Sequence, residues 1–342
     1  MSEALGLGKV RWGLLLAVTA LVLAGAGIYA VGAYQRFEES RSAASTVGVT
    51  AAQPLPSVPF VLFRNTASGQ GYGHAATVPL SAPAGARSVS EQECDRVYGT
   101  KESSVCLKTN RGLVTAFEAA LLNRDWEPQS SWPIKGIPSR TRISPDGSMI
   151  ATTVFVTGHS YATAGFSTAT EITQSGGTPE NLEDYALLVN GQRLVATDRN
   201  IWGVTFVPGQ KDAFYATAAS SGRIWLVRGS ISAKTLTAVH DNVECPSISP
   251  DGTRIAFKKN DGGALAAHWK VAVLDLATGQ ETVLSEKRSV DDQIEWLDNQ
   301  NLLYGLADEA VEGDSNIWQL GTTPGSQPAM FIAHAWSPSV IR

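Results

Sequence analysis

The chain has 342 residues, 43% of them hydrophobic, three cysteines and a formal net charge of −5. That acidic balance, with no basic stripe, excludes a nucleic-acid footprint. No H-E-x-x-H, no P-loop, no G-x-G-x-x-G after a strand and no metal-spaced cysteine cluster occurs, so no cofactor is expected.

In chain order, the first feature is an uncharged run rich in Leu, Ala, Val and Gly from Trp12 to Gln35. As a helix it would be about 36 Å long, enough to cross a hydrocarbon core of about 30 Å. A signal peptide has an apolar core of only about 7 to 15 residues, so residues 12–35 read as an uncleaved membrane anchor behind a short cytoplasmic tail, 1–11. The small-residue triplet Ala24-Gly25-Ala26 keeps a cleaved leader, and hence a secreted protein, as the alternative. Lys9 and Arg11 precede the run, and Arg36 and Arg41 follow it among Glu38 and Glu39, a distribution that does not fix orientation. Residues 36–57 are rich in Ala, Ser and Pro without apolar periodicity and read as a solvated linker to a domain at 58–342.

That domain opens with two strand-like runs, Pro59 to Phe63 and His74 to Leu80. Cys94 and Cys106 then lie at mirror positions about a turn near Thr100, so in a hairpin they would face each other. A disulfide there requires an oxidising compartment, which places the domain outside the cytoplasm. Cys245 is odd and reads as a buried free thiol. Strands are expected around 95–98, 104–108 and 114–122, the last also compatible with a short helix from Leu113 to Asn123.

From residue 140 onward a repeat takes over. Ser-Pro-Asp-Gly occurs at 144–147 and 249–252, with Pro145, Asp146 and Gly147 matching Pro250, Asp251 and Gly252, each time before an apolar β-rich run. Proline presets φ at the first central position, and Asp and Gly tolerate the reversal, so the flanking runs pair as a hairpin. Weaker copies at Val207-Pro208-Gly209-Gln210 and Leu297-Asp298-Asn299-Gln300 put the last three turns about 42 and 48 residues apart, the length of a propeller blade. A third strand follows each hairpin at 222–227, 269–276 and 315–320, and a fourth at 236–240, 281–285 and 329–333.

The run Pro246-Ser247-Ile248-Ser249-Pro250-Asp251-Gly252-Thr253-Arg254-Ile255-Ala256-Phe257, followed by Val273-Leu274-Asp275-Leu276-Ala277-Thr278-Gly279, resembles the repeat of TolB-type β-propellers. The resemblance covers roughly residues 140 to 320 and implies a bacterial envelope propeller that binds other proteins, without naming a partner. Blades phased on the turns begin near 139, 198, 242 and 289, and Ala335-Trp336-Ser337-Pro338 spells an inner strand with no hairpin after it. Strands from the front of the domain can complete that last blade and close the ring. One further blade fits between 88 and 138, giving an all-β, six-bladed TolB-like propeller, with five blades as the alternative.

Gly158-His159-Ser160-Tyr161-Ala162 approaches a nucleophile elbow, but strands flank it on both sides where the elbow needs a helix. The five histidines, His74, His159, His240, His268 and His334, all fall in loops that this phasing places at one end of the ring. Asp291, Asp292, Asp308 and Glu309 share those loops and suggest an acidic rim for a cation or a basic partner segment. A metal site would need three or four of these side chains to converge, which spacing does not reveal. Trp225, Trp269, Trp296 and Trp318 recur at matching strand positions and read as packing between blades. The expected function is a non-catalytic, membrane-anchored module outside the cytoplasm that binds an envelope protein. The alternative is a ligand- or metal-dependent enzyme, of lactonase or glycosidase type, using the propeller mouth.

Overall fold

The computed structural model describes residues 3–112, 114–156, 167–174, 177–262 and 267–342. His159 and the motif around it lie outside the described residues. The chain divides into two compact units, residues 1–46 with 68–70, and residues 47–67 with 71–342.

The first unit is built on one helix, Glu3–Ser42, within which Arg11–Arg36 is long and apolar enough to cross a membrane. The helix therefore outlasts the apolar run. Arg36, Glu38, Glu39 and Arg41, assigned to a linker from composition, continue its last turns.

The second unit is a ring of six sheets, each built on four antiparallel strands, so the six-bladed count holds. Blade 2 orders Arg96–Gly99, Ser104–Asn110, Ala116–Leu122 and Pro128–Pro133, and the segment also compatible with a helix is a strand. Blade 3 uses Ile137–Ile143, Met149–Val156, Ser167–Gln174 and Glu180–Asn181. Blade 4 begins at Asn200–Phe206, blade 5 at Glu244–Ile248 and blade 6 at Glu295–Trp296. Blade 1 takes its inner strand, Ala335–Ile341, from the far end of the chain and pairs it antiparallel with Phe60–Asn65. Each inner strand neighbours the next around the full circle, which closes the ring and lines a central channel.

Why these residues form these elements is clearest at the turns. In blade 3 the Asp146 carboxylate accepts from Ser144 Oγ at 2.7 Å and from the Ser148 amide at 3.1 Å, while Gly147, at φ 73°, donates its N–H to the Ser144 carbonyl. Blade 5 repeats the arrangement with Ser249, Asp251 and Thr253, and Gly252 again sits at φ 73°. Each hairpin is thus closed by its own side chains. Between blades the seams are apolar: Trp225 and Trp296 are buried, and the Trp296 indole donates to the Ser247 carbonyl of blade 5. Trp269 and Trp318 are only half-buried, each lying under a cation, Lys258 and Arg288 respectively.

Two features depart from the expectations. Residues 47–57 are docked on the domain, although most of their side chains stay exposed. Val49–Thr50 pairs parallel with Arg87–Glu93, the Trp126 indole donates to the Gln53 carbonyl, and Leu55 is 1% exposed in a core cluster with Phe60, Cys94, Cys106 and Leu122. Blade 4 also carries two extra strands, Ala186–Val189 and Gln192–Arg193, reversed at Asn190-Gly191, where both residues have positive φ. Asn-Gly is the pair such a hairpin turn favours.

Candidate functional site

Antiparallel order gives the ring two different ends. Turns joining inner to second strands, including both Ser-Pro-Asp-Gly turns, open at one end, and the histidine-bearing loops open at the other. A large concavity lies at the turn end. It is a bowl of about 810 Å³ bordered by the turns of blades 2 to 5, among them Lys101, Pro145, Pro208 and Pro250, with Trp296 and Arg342 completing the circle.

The floor of the bowl is a buried ion pair. Arg142, from the inner strand of blade 3, meets Glu295 of blade 6 at 3.3 Å, and both side chains are nearly inaccessible. Glu295 also accepts from the Tyr98 hydroxyl at 3.3 Å and from the Val340 amide at 3.2 Å. Arg142 covers the Tyr98 ring at 4.3 Å and donates to the Ile294 carbonyl. Burial pushes the Glu295 carboxyl up, and Arg142 and the two hydrogen bonds pull against it. Burial likewise raises the Tyr98 phenol. Both Glu295 oxygens are thus engaged, Oε1 by Tyr98 and Val340 and Oε2 by Arg142, and the charges of the floor are paired within it.

Further along the channel, toward the histidine end, a second charged layer crosses the axis. Arg96 pairs with Asp292 at 3.3 Å, and Lys258 and Arg140 share Asp291 at 2.6 and 3.9 Å. Burial lowers Arg96 to about 10, with Arg140 acting in the same direction and Asp292 opposing. Asp292 is 1% exposed, which removes it from the acidic rim inferred from sequence. Its second oxygen accepts the Gly305 amide. Gly305 cannot be replaced freely, because a Cβ there would stand 2.5 Å from the Trp336 ring.

The described histidines do not converge. His74 bonds the Ser90 carbonyl at 2.7 Å, His240 faces Glu281 at 3.4 Å, His268 pairs with Asp261 at 2.8 Å, and His334 pairs with Asp314 at 2.5 Å. Each is held by its own neighbour. Asp308 caps its own loop through the Ala310 amide and also accepts from Asn316, and Glu309 stands exposed. Among the described residues no three His, Cys, Asp or Glu side chains are grouped to hold a metal ion. The Cys94–Cys106 disulfide is present, and Cys245 is free and buried.

The residues that shape the channel, Arg96, Arg140, Arg142 and Glu295, were not singled out from sequence. A signal existed in Arg140-Thr141-Arg142, two like charges spaced by two in a strand otherwise fit for burial. Period two aims both at one face of the strand, and in the closed ring both reach across the channel, Arg142 to Glu295 and Arg140 to Asp291.

No family model matches the sequence, and no curated protein matches it. The fold does have solved counterparts. The chain is similar to TolB from Acinetobacter baumannii, with a TM-score of 0.59 and 14% identity over 84% of this chain and 67% of that one. It is also similar to a puromycin-hydrolyzing peptidase of Mycobacterium tuberculosis, with a TM-score of 0.50 and 10% identity over 86% of this chain and 47% of that one. Identity this low establishes a TolB-like propeller fold, and a peptidase among the neighbours leaves the chemistry to be argued from the site.

Proposed function

We propose that the protein is a non-catalytic binding module, anchored in the membrane through residues 12–35 and displaying its propeller outside the cytoplasm in a cell envelope, where it captures a protein partner. The observation that carries this reading is the bowl at the turn end, about 810 Å³ and open to solvent, over a floor whose charges are already paired. A catalytic carboxylate needs a free oxygen and a proton to exchange. Glu295 is instead held on both oxygens by Arg142, Tyr98 and Val340. The rim turns of blades 3 and 5 are closed by their own aspartates, so the partner meets a surface preformed there and binding orders little of it. The disulfide supports an oxidising compartment.

The rival is an enzyme acting on a small molecule, since the bowl falls within the volume range of small-ligand pockets. A single comparison separates the two. Full-length protein is crosslinked in native membranes beside two variants, one with Lys101→Glu and Ile248→Arg in the bowl and one with His240→Ala and His268→Ala at the other end. The expected result is capture of one defined partner by the wild type and the histidine variant, with loss from the bowl variant. Loss from the histidine variant alone would move the binding face. Turnover of a small ester, lactone or glycoside by the purified protein, abolished by the bowl variant, would replace the reading with the enzymatic one.

A further inference from the structure

The wall of the turn-end bowl divides into a charged side and an apolar side. Its charged residues are the cations Lys101, Arg142 and Arg342 and the carboxylates Glu102, Asp146 and Glu295. All three carboxylates are engaged. Glu295 is matched by Arg142 at 3.3 Å, and Glu102 lies 3.8 Å from Arg124. Asp146 lies 3.6 Å from Lys211 and accepts from Ser144 and Ser148. Arg124 and Lys211 stand outside the wall, so five cations meet three carboxylates, and Lys101 and Arg342 form no ion pair among the described residues.

Lys101 lies in the turn of blade 2 and is exposed. Arg342 directly follows the inner strand of blade 1, and one of its Nη atoms donates to the carbonyls of Trp296 and Leu297, each at 2.6 Å. Those bonds fix the guanidinium without supplying a counter-charge. Glu295 also lies in the field of Arg342, but it is already matched by Arg142. Blades 1 and 2 are neighbours in the ring, so the two unmatched cations share one side of the bowl. The chain as a whole carries −5, which makes this positive side a local feature.

Blades 3 to 5 form the other side. Their equivalent turns bring Pro145, Pro208 and Pro250 to the wall, the first and last exposed and Pro208 half-buried, and Ile248 stands half-buried two positions before Pro250. Proline presets its own φ, so this apolar surface is held in place before anything binds.

We infer that the bowl admits an acidic amphipathic segment of the protein partner, with a carboxylate on the Lys101 and Arg342 side and an apolar side chain on the Ile248 side. This rests on the reading of the bowl as the binding face. At about 810 Å³ the bowl has the capacity of a small-ligand pocket, so what enters is a short segment and not a folded face. Complementary charge on an open rim governs approach and selection more than raw affinity, and salt weakens it. The apolar side supplies contact that salt does not screen.

The test follows the fluorescence anisotropy of two labelled peptides added to the full chain in phosphatidylcholine nanodiscs, with empty discs as the blank. One short peptide alternates glutamate with leucine, and the other alternates lysine with leucine. The wild type is expected to bind the glutamate–leucine peptide saturably and about tenfold more tightly than the lysine–leucine peptide at low salt, the gap narrowing as salt rises. Lys101→Glu should erase that gap. Ile248→Ser should weaken both peptides about fivefold and leave the gap in place. Equal binding of the two peptides by the wild type, a preference for lysine, a gap untouched by Lys101→Glu, or no saturable binding of either peptide would overturn the inference. The capture experiment in native membranes reads the underlying proposal separately. A partner lost from the bowl variant keeps the bowl as the binding face even if the peptides show that its chemistry is different, and a partner retained by that variant removes the face itself.

Discussion

The two ends of the propeller are made of the same strands and solve the loop problem in opposite ways. At the turn end the connections are short, and the aspartates of the Ser-Pro-Asp-Gly turns are spent inside their own turns, as Asp146 is on Ser144 and Ser148. What remains is a stiff rim around an open bowl with a buried ion pair beneath. At the histidine end the connections from second to third strand in blades 5 and 6 are longer, and the charged groups either form exposed local pairs, such as His268 with Asp261, or reach inward, as Asp292 does to Arg96. Short loops fix geometry by sequence-local bonds. Long loops leave it to tertiary partners, and their polar side chains then carry less energy per contact.

The contrast is tested most severely at the floor of the bowl. Glu295→Ala leaves Arg142 buried without its counter-charge and should cost about 3 to 5 kcal/mol, read as a large fall in the urea midpoint. The double change Arg142→Met with Glu295→Leu should recover most of that loss, because it removes both desolvated charges together. A Glu295→Ala protein as stable as the wild type would mean that the floor is solvated and the bowl is not a preformed base. Next in size is the strongest covalent feature near the histidine end, the Cys94–Cys106 bridge, with a sequence separation of 12. Its removal by paired Cys94→Ala and Cys106→Ala changes should cost about 3 kcal/mol, and reduction of the wild type should lower Tm to the same value.

Much of this was legible in the sequence because the information is local. The Ser-Pro-Asp-Gly turns, the closure of blade 1 by Ala335–Ile341 and the Cys94–Cys106 disulfide all depend on residues whose partners are a few positions away or spelled by a repeat, although the cysteines do not face each other across the ladder as expected: Cys106 pairs with Val97, and Cys94 precedes the strand. The misses share the opposite property. Leu55 stands in a Pro- and Ala-rich stretch with no alternation, and only the hydrophobic cluster it enters reveals that 47–57 is docked. Ala186–Val189 pairs parallel with Thr235–Asp241, nearly fifty residues on, so no hairpin grammar announces it. Asp292 and Asp291 are adjacent and read alike, yet one is 1% exposed and the other 63% on its side chain, a difference set by the blade 2 arginine that reaches only one of them. The bowl went unread for a related reason: its floor joins residues of blades 2, 3 and 6 whose convergence is a property of the closed ring.

Smaller effects refine the comparison. Burial pushes the Asp251 carboxyl up, but hydrogen bonds from Ser249 and Thr253 outweigh it and hold it below its ordinary value. A carboxylate depressed in the folded state adds stability above its unfolded pKa near 4 and loses it as pH falls through the folded value. Asp251→Ala should therefore cost about 1 kcal/mol at pH 7, and the gap to wild type should close in acid. At the other end His268→Ala removes a pair whose members are both about one-third exposed or more, and should change stability by less than about 0.5 kcal/mol. Equal costs at the two positions would dissolve the distinction between a locally fixed rim and a loosely held one. A larger cost at His268 would reverse it, and would make the histidine end the structured surface to which a partner should be mapped.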